Sequence, residues 1–388
     1  MAVIANRVAH LGTSVFTEIN ELAQKHNAVN LGQGKPDFDA PQDVVARAVS
    51  ALQDGVHNQY APGSGISTLR KAVADHAGRF YNMDIDPAQG VVVTAGASEG
   101  LFASILALVD AGDEVIIIEP YFDLYLPAIT MTGAVPVYVP LHPPHWTFDP
   151  DELRAAFTPK TRVLLMNTPQ NPTGRVFTRE ELTMIAELCI EHDVTVISDE
   201  VYEHLLFGSA RHIPIATLPD MFERTVTISS GGKTFSSTGW KVGWAYGHPE
   251  LIRGVLGAHQ FITFAVHHAS QEAIAYALNL SGTYYEELQA MYEGKRQLMM
   301  AALRRSGMTF AEPEGTYFVM ADFSEVFDGT PTEFAKHLIT EYGVGGIPPE
   351  SFYCDEHKHL GMNYLRFAFC KSDDLLREAG ERLARLKR

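Results

Sequence analysis

The chain has 388 residues, 46% hydrophobic and 20% charged, the balance of a soluble globular protein with a large core and room for two domains. Its net charge of −17 argues against a nucleic-acid partner and an anionic membrane surface, both of which demand a basic face. Three cysteines, Cys189, Cys354 and Cys370, are too few and too scattered for a disulfide framework or a zinc site, and no apolar stretch reaches the length of a membrane span, so a reducing cytoplasm is expected.

Residues 13 to 27 carry the period of an isolated amphipathic helix rather than a signal peptide's apolar block. They lead into the Gly/Pro-rich loop Leu31-Gly32-Gln33-Gly34-Lys35-Pro36-Asp37. From about residue 90, short apolar runs alternate with amphipathic segments, which predicts an α/β fold with a mostly parallel sheet and helices on both faces. Strands are expected at Val91-Val92-Val93, Val115-Ile116-Ile117-Ile118, Val163-Leu164-Leu165-Met166, Val194-Thr195-Val196-Ile197 and Val226-Thr227-Ile228. The first is followed by a helix with Leu101, Phe102, Ile105 and Leu106 on one face, stopped by Gly112. Another helix opens at Thr178, with Glu181 in capping-box spacing. A long helix runs from about Tyr284 to Arg305 and ends at Gly307, and a separate α+β pattern finishes in a helix from about Asp373 to Leu386. The expected division is a large domain at 45–285 and a smaller α+β domain built from both chain ends, 1–44 and 286–388. No internal repeat is visible, so a solenoid is excluded.

In open parallel sheets, ligands bind at the carboxyl ends of the strands. The first strand empties into Thr94-Ala95-Gly96-Ala97-Ser98, whose free N–H groups at a helix start suit a phosphate. Phe122, after the second strand, can stack on an aromatic ring. Asn171 stands in the rigid turn Asn167-Thr168-Pro169-Gln170-Asn171-Pro172-Thr173-Gly174 and can donate to a phenolate oxygen. Asp199, in Ser198-Asp199-Glu200-Val201-Tyr202, is a buried strand-end carboxylate that needs a partner such as a pyridinium N–H, and Tyr202 would share the phenolate oxygen. Taken singly these are a strand-to-helix turn, a core aromatic, a rigid turn and a helix cap. The last strand runs into Ser229-Ser230-Gly231-Gly232-Lys233-Thr234-Phe235-Ser236-Ser237, followed by Lys241 between Trp240 and Trp244. A poorly solvated ammonium among Gly, Thr and Trp favours the neutral amine that condenses with an aldehyde, and the serine hydroxyls with Lys241 suit the phosphate of such a cofactor. Five strand ends converging on one crevice point to a pyridoxal-phosphate enzyme.

The segments Asn171-Pro172-Thr173-Gly174, Ser198-Asp199-Glu200-Val201-Tyr202 and Ser230-Gly231-Gly232-Lys233-Thr234-Phe235 resemble the class I/II aminotransferases of the aspartate aminotransferase fold, fold type I of the pyridoxal-phosphate enzymes. The resemblance covers the whole chain. It is nearest the kynurenine/glutamine/methionine aminotransferase subgroup, through Asn30-Leu31-Gly32-Gln33-Gly34, Asn58-Gln59-Tyr60-Ala61-Pro62, Gly239-Trp240-Lys241-Val242-Gly243-Trp244 and Glu314-Gly315-Thr316-Tyr317-Phe318.

The resemblance implies that Lys233 is the cofactor-bound lysine and proton shuttle, that Asp199 partners the pyridine nitrogen, and that Asn171 and Tyr202 hold the phenolate oxygen. It puts Phe122 over the ring and Ala97, Ser98, Ser230 and Lys241 around the phosphate, with Tyr60 reaching that phosphate from the other subunit of a homodimer. Arg366 would clamp the substrate α-carboxylate, with backbone help from Gly34. Lys35 departs from the subgroup, which carries an apolar or aromatic residue there; it either faces the pocket mouth or points to solvent. The resemblance further implies a ping-pong transfer from a large neutral, aromatic or sulfur-containing L-amino acid to a 2-oxo acid, with Tyr125 and Phe264 as aromatic candidates near the pocket. The alternatives are a cysteine-conjugate β-lyase on the same cofactor and, remotely, a non-catalytic pyridoxal-phosphate-sensing regulator. No metal site is expected.

Overall fold

The computed structural model describes residues 4–9 and 15–386. Its main sheet has eight strands: β1 (Val91–Thr94), β2 (Glu114–Glu119), β3 (Val135–His142), β4 (Thr147–Phe148), β5 (Thr161–Asn167), β6 (Thr195–Asp199), β7 (Thr225–Ser230) and β8 (Gly243–Gly247). Their spatial order is β1-β8-β7-β6-β5-β2-β3-β4. The pairings from β7 through β3 are all parallel, while β8 runs antiparallel to both β7 and β1, and β4 antiparallel to β3. The five expected strands are present, each within a residue or two of its expected bounds. Strands β3, β4 and β8 were not anticipated. Strand β3 is interrupted in sequence by Pro136 and Pro140; both lie beyond the reach of β4, which pairs only with Leu141 and His142, so a missing N–H is tolerated there.

Side-chain alternation buries both faces of the sheet. Ile117, Leu165 and Ile197 pack on one face with Leu101 and Ile105 of the helix Gly96–Leu108, and with Ile252 and Val255 of the helix Pro249–Ile262. Ile116, Leu164 and Val196 turn to the other face, against Leu182 and Ile185 of the helix Arg179–Glu191. That helix opens with the expected capping box between Thr178 and Glu181. Removing one such side chain, as in Leu165→Ala, costs about 2–5 kcal/mol. The helix Gly96–Leu108 ends four residues short of Gly112, because Val109 is already extended and Gly112, with φ of +93°, belongs to the turn into β2.

The chain ends build a second layer. The expected first helix is present as Val15–Lys25, residues 13 and 14 lying outside the described set. Val29–Asn30 pairs in parallel with Val344–Gly345, joining the two ends. Strands β9 (Thr309–Phe310), β10 (Phe318–Asp322) and β11 (Tyr364–Ala368) form an antiparallel sheet. The long helix Gly282–Ser306 is closed by Gly307 at φ of +88°. The last helix covers Asp373–Leu383 and tightens to a 3₁₀ turn at Ala384–Leu386. Among the described residues no helix is long and apolar enough to cross a membrane.

Candidate active site

The carboxyl ends of β2, β5, β6 and β7, the Gly96 turn after β1, the Gly34 loop and β11 surround one cavity of about 500 Å³. Its wall contains Gly34, Ala97, Ser98, Phe122, Asn171, Asp199, Tyr202, Ser230, Lys233, Lys241 and Arg366, so eleven of the twelve expected site residues are brought together. The twelfth, Tyr60, is 84% exposed and leans its ring on Phe264, 5.4 Å between centroids.

Lys233 sits on a one-turn helix, Gly231–Thr234, directly after β7. Burial pushes its ammonium down to about 8; Asp199 opposes the shift, and Arg366 and Lys241 add to it. Its Nζ donates to the Tyr317 hydroxyl at 3.0 Å and lies 5.5 Å from the centroid of the Tyr202 ring. Tyr317 in turn donates to the Gly34 carbonyl at 2.9 Å. Gly34 permits this closure: a Cβ there would lie 2.5 Å from the Phe318 ring.

Asp199 ends β6, in register with Asn167 of β5 and Ile228 of β7. Its backbone carbonyl accepts the Asn167 amide at 2.8 Å, and Oδ2 accepts the Tyr125 hydroxyl at 2.7 Å. Oδ1 has one long contact, 3.4 Å, from the Val201 N–H. Burial pushes this carboxyl up to about 6, outweighing the Tyr125 and Val201 hydrogen bonds and the Lys233 charge, which pull it down.

Arg366 lies on β11, 2% exposed, with the Phe318 ring 4.2 Å from its guanidinium. Its NH1 donates to Asn171 Oδ1 at 2.9 Å and its NH2 to the Gly32 carbonyl at 2.7 Å. That first bond determines which Asn171 amide atom remains to donate into the cavity. Burial lowers Arg366 to about 10, so it stays charged at neutral pH.

Several expectations need correction. Of the serines beside Lys233, only Ser230 reaches the cavity. Ser229 points to the opposite face of β7, donating to Glu203, and Ser237 caps the Gly231 carbonyl. Thr238 lines the wall instead. Tyr125 lies next to the cavity as expected, but buried behind its wall with its hydroxyl on Asp199. Phe264 is 50% exposed and outside the cavity. Lys35 is exposed at the mouth, where its carbonyl accepts from Lys371 Nζ at 2.6 Å. The sequence reading gave no role to Tyr317, although it stands in the Glu314–Phe318 motif that carries the resemblance, nor to Asn167, which opens the Asn171 turn.

The family profile for aminotransferase class I and II matches residues 26–383. This chain belongs to that family. The aminotransferase is 40% identical to the kynurenine–oxoglutarate transaminase of Dictyostelium discoideum, over 99% of this chain and 96% of the relative. It is 38% identical to the methionine aminotransferase of Escherichia coli, over 98% of each. Among solved structures, the N-succinyldiaminopimelate aminotransferase of Mycobacterium tuberculosis superposes with a TM-score of 0.95 at 43% identity, covering 99% of this chain and all of that one. The fold is that of aspartate aminotransferase, and the enzyme is a pyridoxal-phosphate-dependent transaminase. The cavity fits this cofactor. Asp199 is a buried carboxylate with no ion pair among the described residues, which a protonated ring nitrogen would satisfy. In the same wall, Ser98 near the start of a 13-residue helix, Ser230 and Lys241 form a donor set suited to a phosphate.

Proposed function

We propose that the transaminase uses Lys233 as covalent anchor and proton carrier, Asp199 as partner of the ring nitrogen, Asn171 and Tyr202 as donors to the phenolate oxygen, and Arg366 as the clamp for the substrate α-carboxylate. When bound, pyridoxal phosphate supplies an electron sink that acidifies the substrate Cα. The Lys233 amine, depressed to about 8, takes and returns that proton near neutral pH, as a base matched to its working range should. Asp199 keeps the ring nitrogen protonated. Phe122 stacks on the ring, and Ala97, Ser98, Ser230 and Lys241 hold the phosphate. Arg366, held by Asn171 and Gly32, presents its guanidinium fork and orients the amino acid more than it alters its electronics. Gly34 adds backbone contact to the same carboxylate. The cycle is ping-pong, an amino acid leaving its amino group on the enzyme and a 2-oxo acid collecting it.

The donor is a large neutral, aromatic or sulfur-containing L-amino acid. The observation that carries this reading is that Arg366 is, among the described residues, the one arginine in the cavity wall, beside apolar Leu101, Phe122 and Phe318. The names of the Dictyostelium and Escherichia relatives agree. Lys35 at the mouth favours a second reading, a donor with an acidic side chain, in keeping with the name of the Mycobacterium relative. A donor panel with one common 2-oxo acid separates the two: faster turnover of acidic than of neutral donors would refute the first. Pyruvate and ammonia released without any oxo acid would instead mark β-lyase activity.

Tyr60, Phe261, Ile262 and Phe264 are exposed together on one side of the molecule, which supports a homodimer with Tyr60 entering the partner's phosphate site. The large sheet occupies residues 91–247 and the small strands lie at 29–30 and 309–368, in keeping with a large domain at 45–285 and a small one at 1–44 and 286–388. Three free cysteines accord with a cytoplasmic setting.

A further inference from the structure

Beyond the cavity wall, Glu119, Cys354 and His357 bring a carboxylate, a thiol and an imidazole together. No ligand spacing was legible in sequence because Glu119 is 235 residues from Cys354. Glu119 is the last residue of β2 and fully buried; three residues on, Phe122 enters the cavity wall. Cys354 and His357 share a tight turn in which the His357 N–H donates to the Cys354 carbonyl at 3.1 Å, so both side chains face Glu119.

The cysteine Sγ lies 3.5 Å from His357 Nδ1 and 3.8 Å from Glu119 Oε2, and Nδ1 and Oε2 are 2.5 Å apart. A tetrahedral ion with bonds of about 2.3 Å to sulfur and about 2.0–2.1 Å to nitrogen and oxygen sets S···N and S···O near 3.5 Å and N···O near 3.3 Å. The two sulfur distances already suit such an ion, and the third requires the hydrogen bond to open by roughly 0.8 Å as the ion replaces the shared proton. The other Glu119 oxygen accepts the Cys354 N–H, which fixes the carboxylate's orientation from outside the ligand set. Cys354 and His357 are partly exposed, leaving an entry path and room for water as a further ligand.

We propose that Glu119, Cys354 and His357 form a binding site for a zinc-class divalent cation. Thiolate with imidazole selects such an ion over magnesium or calcium. The site ties the segment 349–361 to the end of β2. Tyr121 N–H already donates to the Phe352 carbonyl at 2.9 Å, and the Phe352 ring lies 5.4 Å from the Arg366 guanidinium. The ion would therefore hold together the strand end that carries Phe122 and the segment that packs on Arg366, acting on substrate affinity through position. A second cluster, His76, Glu203 and His204, fits less well. It is sealed from solvent, its two imidazoles bond each other at 2.7 Å, and both Glu203 oxygens are taken by Tyr81 and Ser229.

The test uses the holoenzyme, stripped with a chelator and dialysed to equilibrium against zinc, or against cobalt(II) as a coloured substitute. One ion per chain is expected, with cobalt d–d bands of a four-coordinate thiolate site at wavelengths beyond those the cofactor absorbs. Cys354→Ser and His357→Gln should each lose the ion and the bands while keeping the wild-type melting temperature of the stripped enzyme. His357→Gln stands on an exposed turn and serves if Cys354→Ser does not fold. A stripped wild type that takes up no ion, or a folded variant that binds it as wild type does, overturns the proposal.

Discussion

The phenol of Tyr125 donates to Asp199 Oδ2 at 2.7 Å, so a neutral hydroxyl holds the buried carboxylate while the Lys233 charge acts on it from farther away. This bond orients the acid toward the ring nitrogen and offsets part of the cost of burying it. Tyr125→Phe should therefore loosen cofactor retention by roughly 10–100-fold, the 1.5–3 kcal/mol of a hydrogen bond to a charged group. Fluorescence titration of apoenzyme with pyridoxal phosphate measures it; an unchanged dissociation constant would show the bond to be incidental.

Asp199 itself gives a stability test with a definite sign. Its folded value of about 6 lies above the ordinary carboxylate value, so the ionised acid is disfavoured in the folded, cofactor-free protein. Stability is then lost as pH rises from about 4 to about 6, by up to about 3 kcal/mol, and is not regained above. Asp199→Asn should raise the apoenzyme melting temperature at pH 7 and leave it unchanged near pH 4, while abolishing most of the stabilisation that cofactor gives the wild type. A lower apoenzyme melting temperature in the variant at pH 7 would contradict the assigned burial cost.

Lys233→Ala should bind pyridoxal phosphate without a borohydride-trappable bond and turn over no substrate, a loss of many orders of magnitude in kcat. Peptide mapping after reduction of the wild type should place the label at position 233. A label elsewhere removes the assignment.

The depressed Lys233 value also sets a pH profile. Only the neutral amine attacks an aldehyde, so the rate of apoenzyme reconstitution should rise about tenfold per pH unit up to about pH 8 and level off above it. Stopped-flow absorbance records this; a profile still climbing at about pH 10 would place the lysine in ordinary solvent.

Arg366→Lys keeps the charge but gives up the fork that spans Asn171 and Gly32. A drop of about 100-fold in kcat/KM, carried mostly by KM for both amino and oxo acid, is expected. Equal losses in kcat with KM unchanged would mean that the arginine acts on the transition state rather than on binding.

Much of this was legible before the fold was known, because strand-end chemistry depends on local order: a β-branched run followed by a functional residue delivers that residue to the sheet's carboxyl edge. Asp199, Asn171 and Lys233 were found that way. What escaped depends on contacts between distant segments. Tyr317 meets Lys233 across 84 positions, and Tyr125 meets Asp199 across 74. The run of serines misled for a local reason: neighbouring residues in a strand face opposite ways, so Ser230 enters the cavity and Ser229 cannot. Strand β8, bounded by Gly243 and Gly247, offers too short an apolar run to stand out from its surroundings.

The position of β8 bears on how the enzyme is made. It fills the gap between β1 and β7, and Gly243 packs so closely on the Gly96 turn that a Cβ there would lie 2.5 Å from the Gly96 carbonyl carbon. Lys233, Lys241 and β8 all follow β7 in the chain, so a polypeptide folded only through β7 lacks both lysines and leaves the edges of β1 and β7 unjoined. Covalent capture of the vitamin therefore belongs to the closing stage of folding, after a late strand has slotted in beside the phosphate-facing helix.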